Sequence, residues 1–221
     1  LEWRLRAYRH WLTMREPHGV VAGIIPWNYP MQILARVAGA ALAMGNTLVV
    51  KPAEDASLTT IRIAQLALEA GIPDGVFNVI TGYGRDAGAA LSSHPMVDYV
   101  TFTGSTATGT AIQQAAAINN RGVTMELGGK SAQIVFADAD LDAAIPMLIN
   151  AIIQNGGQTC SAGSRVLLER PIYEKVAAAL ADRFSKLVAG PHDADLDLGP
   201  LINLKQRDRV AGMIAAAKQA G

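Results

Sequence analysis

Cysteine is nearly absent from this sequence of 221 residues, which contains one cysteine and four histidines. The single thiol, Cys160, excludes a disulfide bond within the chain, and no second cysteine joins the histidines in a spacing typical of zinc sites. Intracellular proteins keep their thiols reduced, whereas small secreted proteins often depend on disulfides. We therefore expect a cytoplasmic protein without a metal site.

An excess of charge of either sign is also absent, because 19 lysines and arginines balance 19 aspartates and glutamates. The chain therefore has no overall positive field that would attract a nucleic acid or an anionic membrane. The longest apolar runs, residues 37–44 and 143–149, are too short to span a bilayer, and charged residues from Glu2 to Arg9 interrupt the place of a signal peptide. We expect a small-molecule ligand and no nucleic acid or membrane partner.

Hydrophobic residues are abundant, at 50% of the sequence, together with 21 glycines and 10 prolines. This composition is typical of a compact α/β protein. Short apolar runs alternate with longer helical patterns, which predicts β-α units on an open parallel sheet. The predicted strands are residues 20–25, 46–51, 75–80 and 98–102, and the predicted helices are residues 31–44, 57–70, 86–92 and 106–117.

The pattern changes after Arg121, where two predicted strands flank the pair Gly128-Gly129. We interpret this break as the passage between two domains, 1–125 and 126–221. An amphipathic helix from Arg4 to Trp11 is expected to pack on the core. The remaining predicted elements are strands at 122–127, 131–136 and 164–169, a buried helix at 141–154, and helices at 172–188 and 206–220.

Two glycine-rich segments are candidates for binding an anion. Residues 104–109, GSTATG, follow a predicted strand and begin a helix, where backbone N–H groups converge on negative charge. No lysine follows the second glycine, which disfavours a Walker loop, and the first strand runs into PWNYP, residues 26–30, instead of a Rossmann fingerprint. Residues 82–88, GYGRDAG, are a weaker signal. An ordinary tight turn is the alternative for both segments.

Three polar side chains are candidates for catalysis. Cys160 lies in the polar segment GGQTCSAGS, which predicts an exposed loop and a nucleophile, with a small buried hydrophobe as the alternative. Glu126 ends an apolar strand, where it is paired, protonated or functional, or simply exposed. Asn28 lies after the first strand, at the sheet end where α/β proteins place ligands, and its amide suits an oxyanion unless it is only a turn residue.

Five motifs together resemble the NAD(P)-dependent aldehyde dehydrogenase superfamily, in order and spacing, from about Pro17 to the end of the chain. The resemblance implies an α/β fold with an open parallel-sheet dinucleotide-binding domain of Rossmann-like type, followed by part of a second α/β catalytic domain. The motifs are PWNYP at 26–30, KPAE at 51–54, FTGS at 102–105, MELGGK at 125–130 and GQTCSAG at 157–163.

The resemblance also implies a reaction, the oxidation of an aldehyde to its carboxylic acid. Cys160 matches the family's catalytic thiol, which attacks the aldehyde carbon. Asn28 matches the amide that stabilises the oxyanion, and Glu126 matches the base that activates water to hydrolyse the thioester. The alternatives are a relative that transfers the acyl group to coenzyme A, which Glu126 disfavours, and a nucleotide-binding fragment without activity.

For the cofactor, the resemblance implies NAD rather than NADP. Lys51 and Glu54 match positions that bind the adenosine ribose, where a carboxylate repels a 2′-phosphate. Ser105 matches a contact to the pyrophosphate. Further matching cofactor positions are Ile25, Trp27, Gly84, Gly88, Gly104 and Leu127.

Members of this family are longer, so the resemblance implies that the chain is an excerpt of an enzyme that forms a homo-oligomer. An exposed apolar surface on its catalytic half is then expected. Arg36 matches a position in the family's substrate tunnel, where it could contact a polar group of the substrate. An arginine paired at the surface is the interpretation we favour for it.

Overall fold

The computed structural model describes residues 12–221 of the chain, so the predicted helix from Arg4 to Trp11 lies outside the described residues. The chain divides into two compact units. The first unit consists of the segments Leu1–Ile25, Met31–Phe102 and Ala111–Thr124, and the second of Pro26–Pro30, Thr103–Thr110 and Met125–Gly221. The boundary expected between residues 125 and 126 stays a prediction.

A five-stranded sheet forms the centre of the α/β fold, with the order β3-β2-β1-β4-β5. Strand β1 pairs in parallel with β2 and with β4, and β2 pairs in parallel with β3. This order is that of a Rossmann-like sheet, which confirms the predicted fold class. The strands are β1 Val20–Ile25, β2 Thr47–Pro52, β3 Phe77–Val79, β4 Tyr99–Thr103 and β5 Gly122–Glu126.

The strands form where the sequence has continuous apolar runs, because a parallel sheet is covered on both faces. In β1, all residues after Val20 are buried, and β2 and β4 contribute Leu48 and Val100 with no exposed surface. The register aligns Ile24 with Lys51 and with Phe102. The carboxyl ends of three neighbouring strands therefore lie side by side.

The helices that follow these strands agree with their predicted ranges to within about two residues, with one exception. The segment predicted as a helix from residue 86 begins with a π-helical turn, Gly84–Gly88, in which the carbonyl of Tyr83 accepts N–H groups from Asp86, Ala87 and Gly88. A π turn has no sequence period of its own, so the pattern could not predict it. The helices are α1 Pro30–Ala43, α2 Leu58–Glu69, α3 Ala89–Ser93 and α4 Thr106–Ala117.

A second, two-stranded parallel sheet lies within the second unit, formed by β6 Ala132–Val135 and β7 Arg165–Leu168. The strands on either side of Gly128-Gly129 therefore belong to different sheets. The helices of this region are α5 Leu141–Ile153, α6 Tyr173–Ser185 and α7 Leu204–Ala220. Their core includes Val135, Leu148 and Val176.

Helix α5 begins at an aspartate cap, since the Asp140 carboxylate accepts from the N–H groups of Asp142 and Ala143 at 3.1 and 3.3 Å. The helix predicted to be buried at 141–154 is buried on one face only. Leu148 is 6% exposed, whereas the neighbouring Met147 is 71% exposed. Only one face of α5 packs on the core. The apolar composition of the segment therefore predicted more buried residues than the structure has.

The predicted exposure of apolar side chains on the catalytic half has a counterpart in the second sheet. Ile134 is 64% exposed and Leu167 is 48% exposed, on adjacent parallel strands. Within residues 12–221, no helix is long and apolar enough to cross a membrane.

Candidate active site

All three predicted catalytic residues lie in the second unit. Asn28 and Tyr29 belong to the turn that follows β1, and both contact the loop that leads to Cys160. The Asn28 Nδ2 donates to the carbonyl oxygen of Gln158 at 2.9 Å, and the Tyr29 hydroxyl lies 3.0 Å from the Thr159 hydroxyl. Residues 130 positions apart in the sequence are thus brought together.

Only one polar atom of the Asn28 side chain has a partner within the described part of the chain. The amide nitrogen has two N–H groups, of which one is needed for the bond to Gln158. The Oδ1 atom is buried, and no described residue donates to it. The amide is therefore fixed at one end and retains a second N–H for a ligand.

Cys160 is exposed in a turn, which confirms the predicted exposed loop. The loop begins with a 3₁₀ turn, Gln154–Gly157, in which Asn155, Gly156 and Gly157 all have left-handed backbone angles, with φ of 52°, 64° and 75°. Glycine adopts this conformation freely, and asparagine is among the few other residues that tolerate it. The glycines thus allow the sharp reversal of the chain before Cys160.

On the other side of Cys160, Gly163 packs closely against the Gln133 side chain. A Cβ atom at Gly163 would lie 2.6 Å from the side-chain Cδ of Gln133. The Gln133 amide donates to the carbonyl oxygens of Gly163 and Leu148, at 2.8 and 3.2 Å. Gln133 therefore ties the end of the loop at residues 154–163, which we call the cysteine loop, to α5.

Glu126 ends strand β5 and is exposed. Exposed and half-buried residues alternate along β5, so of the settings that the sequence left open for this carboxylate, the structure shows the exposed one. The Glu126 carbonyl accepts from the N–H of Gly104 at 3.0 Å. A Cβ atom at Gly129, three residues later, would lie 3.3 Å from the Cys160 carbonyl oxygen, so the turn after Glu126 passes close to the cysteine loop.

The predicted ribose-binding residues form a pair in the first unit. Lys51 is 3% exposed, and its Nζ lies 3.3 Å from Oε2 of Glu54, whose side chain is 48% exposed. Gly88 is buried beside this lysine, because a Cβ atom there would lie 3.8 Å from Lys51 Cδ. Gly84 is exposed at the start of the π-helical turn. A buried ammonium group and a half-exposed carboxylate thus lie together at the end of β2.

The remaining predicted cofactor positions divide between the units. In the second unit, the Ser105 hydroxyl donates to the Thr108 hydroxyl at 2.9 Å and accepts from its N–H at 3.3 Å, which caps α4. Gly104, Trp27 and Leu127 are half-buried. In the first unit, Ile25 is 2% exposed.

Arg36 lies exposed on α1, in agreement with the surface interpretation that we favoured. Residues 12–221 contain no group of three or more histidine, cysteine, aspartate or glutamate side chains placed to hold a metal ion. A surface cavity of about 320 Å³ lies between α5 and α6, lined by Ile149, Asn150 and Arg183 among others. None of the predicted site residues lines it.

Sequence reasoning missed Asn155, Gln158 and Gln133. Asn155 Nδ2 donates to the Asn28 carbonyl oxygen at 3.1 Å, and Gln158 Nε2 donates to the Asn155 carbonyl oxygen at 2.9 Å. Each contact joins a side chain to a backbone oxygen. Neither spacing nor residue type identifies such a contact, although Asn155 and Gln158 flank the pair Gly156-Gly157.

The chain is similar to known proteins over most of its length. A family model described as the aldehyde dehydrogenase family matches residues 3–221. The chain is 48% identical to hydroxyisobutyraldehyde dehydrogenase of Mycolicibacterium austroafricanum over 208 residues, which cover 94% of this chain and 41% of that protein. The chain therefore spans about two fifths of the length of the curated relatives it matches.

Solved structures are similar over the same part of the chain. A Burkholderia cenocepacia protein with the provisional description of an aldehyde dehydrogenase superposes with a TM-score of 0.92 at 62% identity, covering 94% of this chain and 44% of that one. The NAD⁺ complex of an aldehyde dehydrogenase from Bacillus cereus superposes with a TM-score of 0.91 at 45% identity, covering 94% and 43%.

Proposed function

Because this chain belongs to the aldehyde dehydrogenase family, we propose that the complete protein oxidises an aldehyde to its carboxylic acid with NAD⁺ as the oxidant. The observation that carries the proposal is the hydrogen bond from the Asn28 amide to Gln158, two residues before the exposed Cys160. This bond places an N–H donor beside a loop that presents a thiol. Such a pair is what acyl chemistry on a cysteine requires.

Cys160 is the nucleophile of this reaction. Its sulfur, as the thiolate, forms a bond to the aldehyde carbon and converts the carbonyl oxygen into an alkoxide. The second N–H of Asn28 and the backbone N–H of Cys160 stabilise that negative charge. Donors that are already held in place lower the barrier most, because they need no reorientation as the charge develops.

NAD⁺, when bound, supplies the hydride acceptor that turns the thiohemiacetal on Cys160 into a thioester. Lys51 and Glu54 fit a ribose, since the ammonium group donates and the carboxylate accepts from its hydroxyl groups. The first turn of α4, with Ser105 at its start, fits the pyrophosphate because its N–H groups point out of the helix. The remaining proposed cofactor contacts are made by Ile25, Trp27, Gly84, Gly88, Gly104 and Leu127.

Glu126 removes a proton from the water that hydrolyses the thioester, which releases the carboxylate and restores the thiol. An exposed carboxylate that water can reach suits this step. It also favours water over coenzyme A as the acyl acceptor. The complete protein is further proposed to be a cytoplasmic homo-oligomer that acts on a small aldehyde, on the strength of the family resemblance and the single cysteine.

The proposal is tested by following NADH formation by the complete gene product with a panel of aliphatic, aromatic and semialdehyde substrates. We expect NADH with at least one aldehyde, and we expect Cys160→Ser to abolish it while NAD⁺ binds with unchanged affinity. A serine hydroxyl lacks the base that would activate it here. Full turnover by the Cys160→Ser variant would contradict the assignment of the nucleophile.

A further inference from the structure

Asn155 has a backbone conformation that its side chain makes harder to adopt. Its φ of 52° and ψ of 34° lie in the left-handed region, next to two glycines of similar φ. A glycine would adopt this conformation without a steric penalty. Packing does not explain the asparagine either, because the residue is exposed. Its side chain is used in one described contact, the hydrogen bond to the Asn28 carbonyl oxygen.

The contacts of Asn155 and Asn28 run in both directions. Asn155 Nδ2 donates to the backbone oxygen of Asn28, and Asn28 Nδ2 donates to the backbone oxygen of Gln158. Together these bonds hold both the backbone and the side chain of Asn28 against the loop. One hydrogen bond therefore holds the backbone from which the Asn28 side chain extends, and the other holds its amide.

Gln158 closes the arrangement. Its Nε2 donates to the Asn155 carbonyl oxygen at 2.9 Å, and its Oε1 accepts from the N–H of Ile202 at 2.9 Å. The left-handed residue is thus attached to the segment that precedes α7. The loop then has hydrogen bonds on both sides of its sharp turn, two residues before Cys160.

We infer that Asn155, supported by Gln158, is a positioning residue that orients the Asn28 amide for the oxyanion formed on Cys160. This inference rests on the proposed function. It assigns to Asn155 no contact with the substrate. Because preorganised donors contribute the most when they are rigidly held, a looser Asn28 slows the step in which charge develops on the oxygen.

The test measures the single-turnover rate of NADH formation in the complete gene product. Asn155→Gly keeps the left-handed backbone and removes only the amide, and we expect a rate about tenfold lower, part of the 10²- to 10³-fold loss typical when a whole oxyanion donor is removed. Asn120→Gly is the matched control, because Asn120 also has a φ of 52° and lies after α4, at the opposite end of that helix from Ser105. Its rate should not change.

A double-mutant cycle shows whether Asn155 acts through Asn28. In an Asn28→Ala background, which retains the backbone oxygen, Asn155→Gly should lower the rate less than about twofold. The same fold-loss in both backgrounds, no loss at all, or an equal loss with Asn120→Gly would overturn the inference. If Asn155→Gly does not fold, Gln158→Glu replaces it, because glutamate accepts from Ile202 but cannot donate to Asn155.

Failure of the proposed function gives a different result. In that case the wild-type protein forms no NADH with any aldehyde, and the inference falls with it. A wild-type protein that is active, with a rate insensitive to Asn155→Gly, overturns the inference alone.

Discussion

At the residue scale, we propose that the choice between NAD and NADP depends on one carboxylate, that of Glu54. Glu54 lies 3.3 Å from a lysine that is almost completely buried, and its own side chain is half exposed. A 2′-phosphate on the ribose would bring two negative charges towards this carboxylate. Lys51 would attract the same phosphate, so the preference for NAD depends on Glu54 repelling the phosphate more strongly than Lys51 attracts it.

We therefore expect Glu54→Gln to raise the ratio of kcat/KM for NADP to that for NAD by about tenfold, the effect of removing a repulsion of about 1.4 kcal/mol. Steady-state kinetics with both cofactors measure the ratio. Glu69→Gln is the matched control, since Glu69 pairs with Arg62 at 2.9 Å at the far end of α2. An unchanged ratio in Glu54→Gln, or an equal change in the control, would remove Glu54 as the determinant.

The sequence predicted which single residues are candidates for the site better than it predicted their surroundings. The sequence placed Cys160 in an exposed loop, and the structure agrees. It left two settings open for Glu126, an apolar one and an exposed one, and the structure shows the exposed one. The contact of Asn155 with Asn28 could not be predicted from the sequence, because it joins residues 127 positions apart.

At the scale of elements, the cysteine loop is held by hydrogen bonds to strand β6 and to the segment that precedes α7. Helix α5 precedes the loop, and Gln133 bonds to the carbonyl of Leu148 within α5 and of Gly163 after the cysteine. The start of α5 depends on the carboxylate of Asp140.

We expect Asp140→Ala to loosen the first turn of α5, because two backbone N–H groups lose their acceptor. A lost cap costs about 1 kcal/mol, which corresponds to about fivefold faster amide hydrogen exchange at Asp142 and Ala143. Native-state exchange of the complete protein measures this. The control is Asp138→Ala, an exposed aspartate just before the cap, for which exchange should not change. Unchanged protection in Asp140→Ala would mean that packing alone holds the turn.

Most helices and strands could be predicted from the sequence because each is a local pattern. Buried strands such as β1 are apolar throughout, and helices such as α4 repeat their apolar residues with the helical period. The π-helical turn at Gly84–Gly88 and the left-handed run from Asn155 to Gly157 have no such period. Both were missed, although glycine marks each of them.

At the scale of the whole molecule, the chain combines two sheets of different size, and the described catalytic candidates belong to one compact unit. Asn28 comes from one segment of the second unit, and Glu126 and Cys160 come from another. The family could be predicted because five short motifs occur in the expected order, whereas no single motif was specific. The aldehyde itself leaves no comparable mark, since the chain spans about two fifths of its relatives.

We propose that oxidation proceeds through an acyl group on Cys160, and the Glu126→Gln variant tests this most directly. This variant should still form the thioester but hydrolyse it slowly, because glutamine cannot remove a proton from water. Mixed with NAD⁺ and an aldehyde and quenched, the complete protein should show a burst of about one NADH per subunit. Mass spectrometry should find the matching acyl mass on the peptide that contains Cys160. Unslowed steady-state turnover, or NADH without an acyl group on Cys160, would contradict the mechanism.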